Sequence, residues 1–475
     1  MPKSPDQTFR LEALCDFPDD AEHTPQPLSP DHIDTFVQTL CGLGIRRLAW
    51  SYYADERGGH ILPCDPDTSD ETMSRYRAIV DTYSLLGNPL AAGVRAGHRH
   101  GLEVYGNYKP YETGPGIPFP LGSPQAKRFG HLTKLDSQTS WLDPFVRDHP
   151  HLRIKRRSDD IPTDNATRPV ATIKLFKCDD SPTRITKEHL QIWASSDNYQ
   201  YKPLDIAFDL IECVETAERD VYTLQGTAYH NYAAPITRTG DAVRTLTIQG
   251  LDLDAPFILI TTHFKEGKPD FFNPATAMMR VYNDQGREIV GVLSNGSGIY
   301  NSRLIDFRNW GLLYDHGYGC MPDYLDGAND SGRSGLIAFA RGRNTFLDGA
   351  LCETEPEVQQ FWLQCVAAIL DTGVDGIDFR IENHSTHTDF PFDYGYNPVV
   401  LDQCRDPENP TVEEIRRIRG DAYTAFLRKA RNLITRRGKK MRINLELDYL
   451  RPDPLVNRLL AYPANMDVQW EAVDR

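Results

Sequence analysis

The hydrophobic pattern at the start of the chain alternates between two periods. Apolar side chains recur first at the spacing of one helix face and then as short unbroken runs, and this succession repeats. Helices that alternate with strands in this way are typical of a parallel sheet. The pattern predicts helices over 31–43, 70–86 and 89–100, and strands over 45–50 and 102–105.

The pattern changes after the second strand. Residues 113–165 are rich in proline, glycine and charge and have no clear period. Residues 168–300 contain many short strand-like runs separated by turn signals such as 283–286, without intervening helices. Closely spaced short strands of this kind predict an antiparallel β-sandwich.

The helix and strand alternation returns near residue 344. It predicts strands near 344, 375, 441 and 466, with helices over 355–372, 411–437 and 453–461. Together with the first two strands this gives six strands, whereas a (β/α)8 barrel has eight. We therefore expect a TIM-type barrel that is incomplete at the C-terminus of this chain and that carries an inserted sandwich. The expected domains are 1–165 for the first part of the barrel, 166–305 for the insert and 306–475 for the second part.

Composition and charge narrow the choice of partners. The net charge is −15, which argues against nucleic acid and anionic membranes as partners. No run of 18 apolar residues and no signal-like N-terminal segment occurs, and the nine cysteines form no CxxC pair. We expect a cytoplasmic protein with reduced thiols. No nucleotide-binding motif is present, so no cofactor is expected.

Polar and aromatic residues follow several of the predicted strands. In a parallel barrel the carboxyl ends of the strands form the functional face, so these residues are expected to converge on one rim. Carboxylates, amides and aromatic rings together are the groups that recognise sugars. The candidate substrate-binding residues are Tyr52, Asn107, Tyr108, Lys109, Arg380, Asn383, His384, Asp448, Trp470 and Glu471.

Two carboxylates on this rim are candidates for catalysis. Glu382 and Glu446 follow neighbouring predicted strands, which lie about 4.8 Å apart. Cleavage of a glycosidic bond needs one carboxyl group as acid and a second as nucleophile or base. Arg380 precedes Glu382 by two positions, on the same side of the strand, and would keep a neighbouring carboxylate ionised.

Structural interpretations compete with these assignments. Glu446 could form an ordinary ion pair with Arg442 or Arg451, and Tyr52 and Trp470 could belong to the core. Asp375 and Asp378 could be turn or helix-packing residues. Glu382, His384, His387 and Asp389 are all possible metal ligands, but HxxH in a loop is a weak signal, and no metal is expected.

Parts of the sequence resemble the family-ten-like glycoside hydrolases (the glycosyl hydrolase-like ten group), which are TIM barrels. The resemblance covers roughly 1–165 and 340–475, and not the β-rich insert. The resemblance rests on four segments: GIRRLAWSYY (44–53), AGHRHGLEVYGNYKPYE (96–112), EPEVQQFWLQCVAAILDTGVDGIDFRIENHS (355–385) and FDYGYNPVV (392–400).

A second likeness lies within the third of these segments. DGIDFRIENH is similar to the strand-four motif of the α-amylases, in which an arginine precedes the carboxylate nucleophile by two positions. Here Glu382 takes the place of the usual aspartate. In family-ten enzymes an asparagine precedes the acid/base glutamate, whereas Asn383 follows Glu382.

These observations predict a glycoside hydrolase that acts on an oligo- or polysaccharide. The first alternative is a carbohydrate-binding protein that has the barrel but no catalytic pair. The second is a metal-dependent lyase or isomerase that uses the loop over 382–389.

Overall fold

The structure is a computed structural model of the chain. It describes residues 11–17, 21, 24, 26–52, 81–113, 119–120, 132–133, 138–140, 143–158, 167–177, 179–196, 202–218, 221–227, 230–263, 277–289, 312–315, 334–340, 345–381, 391–444, 466–469 and 472–473.

The strands are numbered in chain order. They are β1 (Leu11–Cys15), β2 (Ile45–Tyr52), β3 (Glu103–Tyr108), β4 (Phe119–Pro120), β5 (Leu132–Thr133), β6 (Gln138–Ser140), β7 (Arg153–Lys155), β8 (Val170–Lys177), β9 (Leu190–Ser195), β10 (Lys202–Pro203), β11 (Asp209–Thr216), β12 (Val221–Thr227), β13 (His230–Thr237), β14 (Ala242–Leu253), β15 (Phe257–His263), β16 (Ala277–Asn283), β17 (Glu288–Ile289), β18 (Leu312–Asp315), β19 (Ser334–Ala340), β20 (Phe346–Leu351), β21 (Gly376–Arg380) and β22 (Lys440–Asn444).

Four of the α-helices begin and end close to where the sequence predicts, and two short ones were not predicted. They are α1 (Pro30–Gly42), α2 (Pro89–Arg99), α3 (Pro144–Asp148), α4 (Pro356–Asp371), α5 (Pro398–Leu401) and α6 (Val412–Arg436). A capping box fixes the start of α1 at Ser29 and the start of α6 at Thr411, whose hydroxyl accepts a hydrogen bond from the Glu414 amide. The helix predicted over 453–461 and residues 70–80 of the helix predicted over 70–86 lie outside the described residues. Residues 81–86 of the latter are helical, as predicted.

Five parallel strands form a sheet in which the spatial order equals the chain order. The order is β1-β2-β3-β21-β22, and every neighbouring pair is parallel. Helices α1, α2, α4 and α6 each follow one of the first four strands along the chain. The protein therefore has a mixed α/β fold around a parallel sheet, and its described part contains no closed barrel.

The predicted strands near 45, 102, 375 and 441 are confirmed, but two details were not anticipated. Strand β1 was missed because it has only five residues and its sequence, LEALC, shows no clear alternation. The strand near 344 exists as β20 but pairs antiparallel with β7, so its expected place in the parallel sheet was wrong. An apolar run identifies a buried strand without identifying its partner.

The strand predicted over 466–471 is also wrong in its described part. Residues 466–469 do not form a strand, and they lie alongside helix α6 instead. The Asp467 amide donates to the Arg416 carbonyl and the Gln469 amide donates to the Thr424 hydroxyl. Gly420 permits this close approach, because a side chain there would collide with the Asp467 backbone.

The remaining strands form antiparallel sheets. Two have five strands, in the orders β10-β9-β15-β19-β18 and β11-β14-β8-β16-β17. Smaller ladders join β12 to β13, β20 to β7, and β4 to β6 to β5. Strand β19 extends the antiparallel region to Ala340, beyond the expected boundary at residue 305. The division of the chain into domains stays a prediction.

One ion pair in the α/β part is fully buried. The Arg419 Nε atom of α6 lies 2.5 Å from Glu353 Oε1, and both side chains have no exposed surface. Tyr111 donates its hydroxyl hydrogen bond to Glu353 Oε2 over 3.0 Å. Burial alone would lower the pKa of Arg419, but the attraction of the Glu353 carboxylate outweighs it and raises that pKa. The pair thus ties the segment after β3, the start of α4 and the middle of α6 together.

In the described part of the chain, no helix combines the length and the apolar character that crossing a bilayer requires. The six described cysteines, Cys15, Cys41, Cys213, Cys352, Cys365 and Cys404, are free thiols.

We expect Gly93→Ala to destabilise the protein by about 1–3 kcal/mol, because the new Cβ has no space. It would lie 2.5–2.9 Å from ring carbons of Trp50, a side chain with no exposed surface. Denaturant unfolding measures the change. Gly42→Ala, in another helix and with nothing within 4 Å of the new Cβ, is the matched control and should be nearly neutral. Equal stability of the two variants would contradict the close packing.

Replacing Glu353 by glutamine should destabilise the protein by about 3–5 kcal/mol, since it leaves the Arg419 charge buried without its partner. Asp371→Asn removes a carboxylate from the exposed pair with Arg437 and should cost less than about 1 kcal/mol. Thermal and denaturant unfolding of both variants give the comparison. Similar losses in the two would show that burial does not set the strength of the first pair.

Candidate functional site

The two faces of the parallel sheet have opposite chemistry. One face, here the helix face, carries buried apolar side chains such as Leu48, Trp50, Val104, Ile377 and Phe379. These pack towards the helices, as the contact of Gly93 with Trp50 shows. The opposite face, here the inner face, carries the residues that alternate with them. They are Glu12, Leu14, Arg47, Ala49, Ser51, Glu103, Tyr105, Asn107, Gly376, Asp378, Arg380, Lys440, Arg442 and Asn444.

Charges on the inner face pair across the strands near their amino ends. Arg47 bonds to Glu12 and, at 2.8 Å, to Glu103, and Lys440 reaches Glu103 at 3.0 Å. The hydrogen bond from Arg47 lowers the pKa of Glu103, although burial acts in the other direction. The Tyr105 ring has the guanidinium groups of Arg47 and Arg442 at 4.7 and 5.5 Å from its centroid. These contacts leave little net charge on this part of the face.

A contact between the two outer strands shows that the sheet is curved. Arg442 Nη1 of β22 lies 2.6 Å from Glu12 Oε2 of β1. In a flat sheet four strand spacings would separate these strands by about 19 Å, which is farther than the two side chains reach together. The inner face is therefore concave, and side chains at its carboxyl end point towards a common region.

A row of polar side chains crosses the concave face farther along the strands. Ser51 pairs in register with Asn107, Asn107 with Asp378, and Asp378 with Arg442. The first three are 1–3% exposed. Arg442 Nη2 lies 3.8 Å from Asp378 Oδ2, so the row is joined to the charge network at the other end of the strands.

Burial sets the ionisation of Asp378. It raises the pKa of this carboxyl group, against the smaller opposing effects of Arg442 and Asn107. The Asn107 amide lies close enough to stabilise the carboxylate, but the contact lacks the geometry of a good hydrogen bond. Asp378 thus holds its proton to a higher pH than an exposed aspartate does.

A second cluster lies just beyond the ends of β1 and β3. The Lys109 ammonium group is 2.8 Å from Glu112 Oε2 and 3.9 Å from Asp16 Oδ2, and Lys109 is only 7% exposed. Lys109 follows Asn107 by two positions, which places it in line with the inner face. The carboxyl ends of the strands therefore carry a lysine and two carboxylates above the polar row.

Five of the predicted site residues are described, and they divide between the two faces. Asn107, Lys109 and Arg380 belong to the inner face and lie near its carboxyl end. Tyr52 and Tyr108 belong to the helix face. Their ring centroids are 6.3 Å apart, and the centroids of the Tyr108 and Phe379 rings are 5.9 Å apart. Their burial in the core favours a packing role over contact with a substrate.

The other predicted site residues lie outside the described residues. They are Glu382, Asn383, His384, Glu446, Asp448, Trp470 and Glu471. No group of three or more histidine, cysteine, aspartate or glutamate side chains with metal-binding geometry occurs in the described part of the chain.

Sequence reasoning missed two residues of this region. Asp16 was overlooked together with β1. Asp378 was considered as a turn or helix-packing residue, although it precedes Arg380 by two positions in the same predicted strand. The period of two along that strand is the signal that places both on one face.

Searches of protein-family models, of curated proteins and of solved structures find no match to the chain. The resemblance to glycoside hydrolases stays a prediction from the sequence motifs.

The Asp378→Asn variant should gain stability relative to the unsubstituted protein as the pH rises above 3.8, the ordinary pKa of aspartate. The folded state binds the Asp378 proton more tightly than the unfolded chain does. Stability from this group is therefore present at low pH and is lost as the pH rises through the folded pKa. Asparagine has no such proton. Denaturant unfolding across this pH range measures the difference.

Thr435→Ala is the control for this experiment, because it changes an exposed position near the end of α6 without adding or removing a titratable group. It should show no comparable trend. A difference between Asp378→Asn and the unsubstituted protein that stays constant with pH would contradict the raised pKa.

Proposed function

We propose that the protein is a carbohydrate-active hydrolase that cleaves glycosidic bonds at the carboxyl ends of its parallel strands. The observation that carries the proposal is the convergence of Asn107, Lys109, Asp378 and Arg380 on the concave inner face. Amide, ammonium, carboxyl and guanidinium groups at one end of a curved parallel sheet suit a ligand with many hydroxyl groups. In parallel barrels that end of the strands is where active sites form.

The proposed scaffold is a (β/α)8-type barrel with an inserted β-sandwich. Support comes from the sequential order of the five parallel strands and from the curvature that brings Glu12 to Arg442. The two five-stranded antiparallel sheets between β7 and β20 support the sandwich. A role for this insert in holding a polysaccharide next to the barrel is part of the proposal.

Glu382 and Glu446 are the proposed catalytic carboxylates. Each follows by two positions a residue of the register pair Arg380 and Asn444, at the ends of neighbouring parallel strands. Equal spacing from one register pair supports their action on the same bond. One would donate a proton to the leaving oxygen while the other attacks the sugar or activates water.

Replacing either catalytic carboxylate by its amide should reduce glycan hydrolysis at least about 100-fold, since positioned acid–base groups contribute about 10²–10⁴ to rates. The assay is the release of reducing sugar from a panel of polysaccharides and aryl glycosides. The variants are Glu382→Gln and Glu446→Gln, and Glu413→Gln at an exposed helix position is the matched control.

The outcomes separate the candidate functions. Full activity in Glu382→Gln would exclude this residue as a catalytic group. Binding of polysaccharide by the unsubstituted protein without any turnover would favour a carbohydrate-binding protein over a hydrolase.

A further inference from the structure

Three buried side chains of the inner face have polar atoms without hydrogen bonds. Ser51, Asn107 and Asp378 are 2%, 1% and 3% exposed. In the part of the chain that the structure describes, the Ser51 hydroxyl, both amide atoms of Asn107 and Asp378 Oδ1 make no hydrogen bond. These residues are here called the polar floor.

The members of the polar floor are neighbours in space. They pair in register across β2, β3 and β21, and adjacent strands lie about 4.8 Å apart. The sheet is concave on this side, so the three side chains face one region. Two neighbouring oxygen atoms of a ligand can therefore be contacted by the floor at the same time.

Leaving such groups without partners costs stability. A polar atom loses its hydrogen bonds to water when it is buried. The free energy of those bonds is regained only if the atom finds a new hydrogen-bond partner. Most buried polar groups in proteins do have partners, so a cluster of exceptions indicates a site that a ligand or bound water completes. Proteins keep destabilising groups of this kind where function requires them.

The charges around the polar floor favour an uncharged ligand. Asp378 has Arg442 at 3.8 Å. Lys109 lies between Glu112 at 2.8 Å and Asp16 at 3.9 Å, and Arg380 adds a positive charge, so neither sign is in excess. The described carboxylates form no metal-binding cluster.

The hydrogen-bonding groups themselves match hydroxyls. A serine hydroxyl and an amide both donate and accept, while an ionised carboxylate only accepts. Hydroxyl groups can satisfy all three.

We propose that Ser51, Asn107 and Asp378 bind two adjacent hydroxyl groups of a sugar ring. The inference rests on the proposed function and adds the substrate contacts that hold the ring on the inner face. Asp378 and Asn107 bind one hydroxyl between β21 and β3, and Asn107 and Ser51 bind the next between β3 and β2. The three are binding residues, separate from the carboxylates proposed for bond cleavage.

The test measures binding of simple sugars to the full chain by isothermal titration calorimetry. The probes are the methyl glycosides of glucose, galactose, mannose and xylose, and the 2-deoxy and 3-deoxy forms of whichever binds best. Ser51→Ala and Asn107→Ala should each weaken binding about tenfold, the effect of losing one or two hydrogen bonds. Thr435→Ala and Asp371→Asn, at exposed positions near the ends of α6 and α4, should bind as the unsubstituted protein does.

A stability measurement separates binding from a structural role. If the Ser51 hydroxyl serves a ligand, Ser51→Ala removes an unsatisfied group and its melting temperature is equal or higher. If the hydroxyl supports the fold, the melting temperature falls. Weaker binding with unchanged or raised stability therefore supports the proposal, and a lower melting temperature overturns it.

The remaining outcomes are also decisive. Unchanged affinity in both floor variants, no measurable binding of any of the four glycosides, or equal affinity for the deoxy forms would overturn the proposal. Hydrolysis of polysaccharides with unchanged sugar binding in the floor variants would reject the polar floor and keep the proposed function. Binding that depends on the floor, without hydrolysis of any glycan, would reject the hydrolase and keep the floor.

Discussion

Ion pairs on the inner face of the parallel sheet join four of its five strands, and the shape of the candidate site depends on the curvature that they bridge. Arg47 stands between Glu12 and Glu103, and Arg442 reaches from the last strand to Glu12 on the first. An isolated pair at this exposure would contribute little to stability. Here the pairs form a network that spans the sheet, and the contact between its outer strands is possible only because the sheet is curved. The same curvature brings the carboxyl ends of the strands together.

Two kinds of polar burial have different consequences here. Glu353 and Arg419 form a buried ion pair, Tyr111 donates to the same carboxylate, and these contacts hold α6 against the loop after β3. The polar floor is equally buried, but its hydrogen-bonding capacity is unused within the described residues. The first arrangement fixes the scaffold, because its groups have no reason to exchange partners. The second is suited to binding, because a ligand gains the hydrogen bonds that folding left unmade.

The sequence was informative about elements and less so about their neighbours. Helices α1, α2, α4 and α6 have strong apolar periodicity and clear starts, and all four lie within one residue of the predicted bounds at each end. Strand β20 has the same apolar character as a barrel strand, yet it pairs with β7, because pairing depends on long-range contacts that periodicity does not encode.

The candidate site was predictable where alternation within a strand could be followed. Asn107, Lys109 and Arg380 lie on the inner face, whereas Tyr52 and Tyr108, the last residues of β2 and β3, belong to the opposite face. Position near the end of a strand does not decide which face a side chain joins. That depends on whether the residue is an odd or even number of positions from a residue of known face. The sequence alone does not identify Asp378 as a site residue. Its role depends on its cross-strand neighbours, Asn107 and Arg442, which only the sheet register shows.

The pairing of β7 with β20 has a consequence for how the chain folds. Strands β3 and β21 are adjacent in the parallel sheet, but the whole antiparallel region lies between them along the chain. The backbone bond from the Arg156 amide to the Thr345 carbonyl continues the β7–β20 ladder and brings the two ends of that region together. Closing a long flexible loop costs more entropy than closing a short one. Once the β7–β20 ladder forms, strands β8–β19 no longer add to the length of the loop between β3 and β21. Strands β21 and β22 can then join β1, β2 and β3 at the entropic cost of a much shorter connection.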